Sequence, residues 1–178
     1  MKNIKKRNMK NTIKFFAFAI LFFGLTATTF AQVSATANAT ATIVTPIAIS
    51  KTVDMNFGNI AVLTGTGGTV VLAPAGTRTK TGGVTLPVTA GTITAASFTV
   101  TGASGYTYSI TLPGSATTIS YLTNNMTVDT WTSNPVTTGT LTSGTQTLNV
   151  GATLNVSAGQ VAGVYTSGTP FTVTVNYN

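Results

Sequence analysis

The sequence predicts an all-β, antiparallel sandwich, and three observations predict it. Val, Ile, Leu, Phe and Tyr recur at every second position in short runs, the period of a strand with one buried face. Gly, Pro and Asn clusters interrupt those runs at the roughly 8–12-residue spacing of sandwich turns. Thr supplies 36 of the 147 residues that follow Ala31. Its branched Cβ favours strands, and its hydroxyl keeps an outward face wettable without charge. No segment in that stretch carries a 3.6-residue apolar period bounded by helix caps. Eight to ten short strands are expected, as in an immunoglobulin-like sandwich.

The chain opens differently. Lys2, Lys5, Lys6, Arg7, Lys10 and Lys14 precede an unbroken apolar run from Phe15 to Leu25, and Thr29-Phe30-Ala31 supplies small residues beyond it. A basic start, an apolar core too short to span a bilayer and a small-residue exit form a cleavable export signal. Residues 1–31 are therefore expected to be the signal peptide and 32–178 a single sandwich domain. Export places the protein in the periplasm, on the cell surface or outside the cell. No further membrane span is expected in the mature chain.

Removing the signal changes the charge balance. Lys51, Arg78 and Lys80 face Asp54 and Asp129, a net of +1. Three scattered basic residues make no electrostatic footprint for nucleic acid, so that class of partner is excluded. The chain has no cysteine. Packing and sheet hydrogen bonds must hold it without a disulfide, even where export would allow one.

The strands follow in order. Val70–Ala73, Val84–Val88, Phe98–Val100, Tyr106–Leu112, Ile119–Leu122 and Met126–Val128 are the apolar-rich runs. Gly65–Gly68, Gly82-Gly83, Gly102–Gly105, Pro113-Gly114 and Asn124-Asn125 separate them. Leu148/Val150 and Leu154/Val156 belong either to two strands of a tight hairpin at Gly151 or to one long strand kinked by that glycine. Phe171–Tyr177 closes the chain.

Catalysis needs groups of tunable protonation or nucleophilicity. The chain has no His and no Cys, and its two mature carboxylates lie far apart in sequence. An enzyme is not expected, and neither is a cofactor. Asp54, Asn56 and Asn59 surround Gly58, a pattern that suits an Asx-turn better than a hard-cation site with a single carboxylate. Sugar sites on sandwiches use exposed aromatic rings. Among Trp131, Tyr121, Tyr106 and Tyr108, the candidate ligand contacts are Trp131 and Tyr121, with core packing as the competing role.

Two features favour assembly. Residues 34–43 alternate small apolar with polar side chains, and Ala35, Ala37, Ala39, Ala41 and Ile43 share one face. That is a strand able to serve as an edge of its own sheet or to complete a neighbour's. Natural sheet edges are usually guarded by charge, and this chain has little to guard them with. Phe171, Val173, Val175 and Tyr177 are the candidate inward face of the C-terminal strand beside such a groove. Self-association, or pairing with related surface subunits, is the expected partnership.

The segments Ala39–Ile43 with Pro46-Ile47, Met55–Ile60, Phe98–Gly102, Tyr106–Ile110, Val150–Leu154, Gly163-Val164-Tyr165 and Phe171–Tyr177 resemble a secreted bacterial family, domain of unknown function 4402. That family brings no catalytic residues. A looser likeness extends to chaperone–usher pilins and spore-coat U-type proteins, through the alternating N-terminal segment, the Asn56-Phe57-Gly58 element, the Gly163–Tyr165 turn and the penultimate Tyr177. The likeness implies a final strand read by a periplasmic chaperone and an N-terminal segment inserted into the next subunit. The chain departs from those pilins in lacking their disulfide and in the small size of its N-terminal side chains. A fimbria-like or surface subunit is the function these readings favour, with a monomeric adhesin or glycan-binding module as the alternative.

Overall fold

The computed structural model describes residues 31–178, so the segment read as an export signal lies outside them apart from Ala31. Residues 31–47 form no strand. Beyond them the chain is an antiparallel β-sandwich, as its two-residue period requires. Its strands are β1 (Ala48–Val53), β2 (Ala61–Val62), β3 (Gly68–Leu72), β4 (Arg78–Lys80), β5 (Val84–Thr85), β6 (Ala96–Thr101) and β7 (Thr107–Thr111). They continue with β8 (Thr117–Tyr121), β9 (Asn124–Asn134), β10 (Thr138–Thr140), β11 (Thr145–Val156), β12 (Thr166–Ser167) and β13 (Thr174–Tyr177). No helix among the described residues is long and apolar enough to cross a membrane.

The longest strand organises the fold. One edge of β11 pairs with β6 through Thr145–Val150 and then with β3 through Ala152–Val156; its other edge pairs with β9. Gly151 is the changeover point. The two TLNV stretches therefore belong to one continuous strand rather than to a hairpin. The large sheet runs β1-β6-β11-β9-β8-β12, with β3 and β4 attached to the far half of β11. A second sheet, β10-β7-β13, stacks over its first half, and β2 and β5 form a small ribbon.

Alternation decides what is buried. Gln146, Leu148, Val150, Ala152, Leu154 and Val156 of β11 point inward, while Thr145, Thr147, Asn149, Thr153 and Asn155 line the outer face. Two cores result, one on each side of Gly151. Ala96, Val100, Leu148 and Val150 from the large sheet meet Tyr108, Leu141, Val173 and Val175 from the second layer. Val70, Leu72, Val128, Ala152, Leu154 and Val156 meet Phe57 and Val84. The first core is roofed by a sheet. The second is roofed by the chain around residues 55–62, by β5 and by Leu86 and Ile93, with no three-stranded sheet above it.

Two local readings change. The β8–β9 turn falls on Leu122-Thr123, because Tyr121 pairs with Asn124, and the Asn pair opens β9 instead of separating two strands. Leu122 takes φ 52° there and is 81% exposed, so the turn sits in solvent with an apolar residue in the left-handed region. β9 also runs on to Asn134 past a bulge, where Thr130 and Trp131 lie opposite Ala152 and Thr130 takes φ 49°. The extra residue keeps Val128 and Trp131 on the same inner face.

Candidate functional site

An open groove of about 880 Å³ lies over the second core, where the upper sheet is missing. Its floor is apolar: Ile119 of β8, Met126, Val128 and Trp131 of β9, and Leu154 and Val156 of β11. One wall is the chain from Asp54 to Val62, and the other is Gln160–Ser167 with Phe171. Met55, Ile60, Val62, Ile119 and Met126 are only half-buried, so apolar surface remains open to water. Val164, 78% exposed, and Val161 add apolar side chains to the rim.

The first wall is held from behind. Asn56 exchanges backbone hydrogen bonds with Thr94 at 2.8 and 3.0 Å, and Asn59 N–H donates to the Ala90 carbonyl at 2.7 Å. Asn56 Oδ1 accepts the Gly58 N–H at 2.8 Å, an Asx-turn that carries Gly58 to φ 67°. Arg78 Nη1 reaches across from β4 to the carbonyls of Phe57 and, at 3.1 Å, Asn59. Arg78 does not stand out in the sequence, because a lone basic residue in a short strand resembles any edge charge.

The second wall hangs on tyrosines. Tyr165 Oη donates to the Val161 carbonyl at 2.7 Å, and Gln160 Nε2 donates to Tyr165 Oη and to the Asn125 carbonyl. The Tyr121 and Tyr165 rings stand 5.8 Å apart, and Gly163 packs so closely on the Tyr121 ring that a Cβ there would strike it. Tyr121, a candidate ligand contact, thus lies half-buried under this wall. Only the two-residue pairing of β12 with β8 adds sheet hydrogen bonds to it.

Trp131 stands at the end of the groove floor. Its ring lies 4.5 Å from that of Phe171, it touches both cores, and its Nε1–H donates to the Ser115 carbonyl at 3.3 Å. Phe171, Val173, Val175 and Tyr177 do share one face. Val173 and Val175 are buried in the first core, whereas Phe171 borders the groove. Strand β13 covers only Thr174–Tyr177 and pairs with β7 alone, so its other edge carries no ladder. Tyr177 Oη donates to the Thr45 carbonyl at 2.8 Å and accepts from the Ala103 N–H at 2.6 Å. Tyr106 packs on Tyr177, and Tyr108 is fully buried with its hydroxyl on Gln146 Oε1.

Ala35, Ala37, Ala39 and Ala41 are exposed and in no strand, and Ile43 is 97% exposed. Lys51 and Asp54 form an exposed ion pair at the end of β1. Among the described residues no three His, Cys, Asp or Glu side chains converge on a common point. The chemistry on offer is an apolar trough with polar backbone walls.

No curated protein and no solved structure matches this sequence. One family model does match, described as a domain of unknown function (DUF4402), and it covers residues 47–177 and with them all thirteen strands. The chain belongs to the DUF4402 family.

Proposed function

We propose that this protein is an exported, non-catalytic structural subunit of a fimbria-like or cell-surface assembly whose copies join by β-strand pairing. The observation that carries this reading is the open groove with its apolar floor, on which Ile119, Met126 and Trp131 are only half-buried, and no sheet above it. An open apolar trough without a sheet above it leaves room for an added strand. The chain has a segment of matching chemistry in residues 35–43, which are exposed and in no strand. Inserted as a strand from another copy, they would gain backbone hydrogen bonds worth about 0.5–1.5 kcal/mol each and would lay small side chains on the floor. The uncovered edge of β13 offers a second place for pairing.

Deleting residues 32–42 behind an intact export signal tests the reading. Electron microscopy and size-exclusion chromatography are expected to show loss of polymers, with the monomer still folded. Unchanged filaments in the deletion strain would refute strand donation by this segment.

A second reading, a monomeric glycan-binding module, is favoured by one feature. Trp131 and Phe171 form an aromatic platform in the groove, with Asp54, Asn56 and Gln160 along its walls. Binding on a glycan array that is lost in Asn56→Ala, from a protein that stays monomeric at every concentration, would select it.

A further inference from the structure

The chain has five tyrosines, and four of them stand in two pairs. Tyr106 and Tyr177 have ring centroids 5.6 Å apart at an interplanar angle of 59°. Tyr121 and Tyr165 stand 5.8 Å apart at 55°. The fifth, Tyr108, is sealed in the core with its hydroxyl on Gln146. Each pair joins a well-held part of the sandwich to a weakly held one. Tyr177 ends the four-residue strand β13, which has one sheet neighbour, and Tyr106 leads into β7, the centre of that sheet. Tyr165 precedes the two-residue strand β12, and Tyr121 ends β8, which pairs along its length with β9. With no cysteine in the chain, a disulfide can fasten neither segment.

We propose that Tyr106–Tyr177 and Tyr121–Tyr165 are sites of oxidative phenol coupling, each converted to an intramolecular dityrosine by a one-electron oxidant of the peroxidase class. Each phenol gives up one electron and its hydroxyl proton to the oxidant, leaving two phenoxyl radicals. The radicals join through a new carbon–carbon bond between ring positions ortho to oxygen. The hydrogens on those two carbons then shift to the oxygens and restore both phenols. A pair loses two hydrogens in all, and one hydrogen peroxide becomes two waters.

Tilted packing at these centroid distances supports the step, because it turns the edge of one ring toward the other with no residue's length of chain to be moved between them. Tyr106 is 46% exposed, so electrons can leave the first pair at the surface. The Tyr106–Tyr177 link would close a long loop ending at the penultimate residue and restrict the unfolded chain as a disulfide does. The Tyr121–Tyr165 link would fix the second wall of the groove. Covalent chemistry of this kind would hold two weakly paired segments without cysteine.

The test is to treat the dilute, folded full chain with a peroxidase and hydrogen peroxide, then map cross-linked peptides by mass spectrometry. The expected result is a monomer that has lost two hydrogens per link, with peptides joining 106 to 177 and 121 to 165 and Tyr108 unmodified. Tyr106→Phe is expected to remove the first link alone and Tyr121→Phe the second alone. Both variants keep Tyr165 and Tyr177, whose hydroxyls donate to backbone carbonyls. The proposal is overturned if no intramolecular link forms, if links join only separate chains, if Tyr108 takes part, or if the urea-unfolded chain gives the same pairing.

Discussion

Gly151 lies directly beneath the carbonyl oxygen of Leu72: a Cβ at residue 151 would collide with that oxygen, and Ala73 C and Pro74 N would stand only 2.8 Å away. All three atoms are backbone, and they lie at the end of β3 and in the two residues that follow it. The crossing is possible only because residue 151 has no side chain, and it is also where β11 trades β6 for β3. Gly151→Ala is therefore expected to lower stability by about 1–3 kcal/mol, the usual range for overpacking a dense site. Urea unfolding would read this as a lower midpoint at an unchanged slope. An unshifted midpoint would mean that residues 72–74 yield easily and that the two cores are not locked together here.

Tyr108 makes stability depend on alkaline pH. Burial raises the pKa of its phenol above the ordinary 10.0, because the charged form would sit in the apolar core against Gln146 Oε1, itself an acceptor. The folded state thus binds this proton more tightly than the unfolded state does. The stabilisation is complete below about pH 10 and is lost as pH rises through the folded value. Tyr108→Phe is expected to cost about 1 kcal/mol at neutral pH for the lost hydrogen bond and to flatten the decline above pH 10. Chemical denaturation of both proteins from pH 7 to 11 checks the slope. Parallel curves would assign the decline to other groups.

The inward faces were legible in the sequence because alternation is a direct record of burial. Val70/Leu72, Leu148/Val150, Leu154/Val156 and Val173/Val175 all lie in the cores. The Asx-turn at Asn56 was legible too, since an Asn two residues before a glycine carries its own hydrogen-bond partner. The groove was not. It arises because the second layer stops at β10-β7-β13, and how far one layer extends over another is not written in the period of any single strand. Its walls, 54–62 and 160–171, have few regular strands and so little pattern to read. The turn at Leu122 was hidden for a related reason, since an apolar residue at positive φ contradicts local preference and only the pairing of Tyr121 with Asn124 reveals it.

Arg78 sets the shape of the first wall. Its guanidinium spans two carbonyls, those of Phe57 and Asn59, on either side of the left-handed Gly58. Arg78→Met keeps most of the aliphatic stem and removes both bonds, and a loss of about 1.5–3 kcal/mol is expected for hydrogen bonds from a charged donor. Hydrogen exchange at residues 57–60 is expected to quicken while β6 and β11 stay protected. Arg78→Lys should recover only part of the loss, because the shorter lysine stem brings its nitrogen short of the Nη1 position that meets both carbonyls. Full recovery with Lys would show that charge, not geometry, holds the wall.

Trp131 separates the two functional readings by what its replacement with Phe leaves intact. The bulge at Thr130 aims the indole inward, where it meets Phe171 and touches both cores. A ring with that much contact should matter to the monomer whether or not anything binds beside it. Trp131→Ala is expected to lose about 3 kcal/mol, the lower end for aromatic truncation because the ring is only half-buried. Trp131→Phe, which keeps an aromatic against Phe171, should lose much less. If the groove receives a strand, Trp131→Phe will still assemble, since backbone hydrogen bonds carry most of that pairing. If the groove holds a sugar, the smaller ring will weaken binding on a glycan array while thermal stability stays near that of the parent. Assembly and glycan binding measured on this one variant give opposite patterns for the two cases.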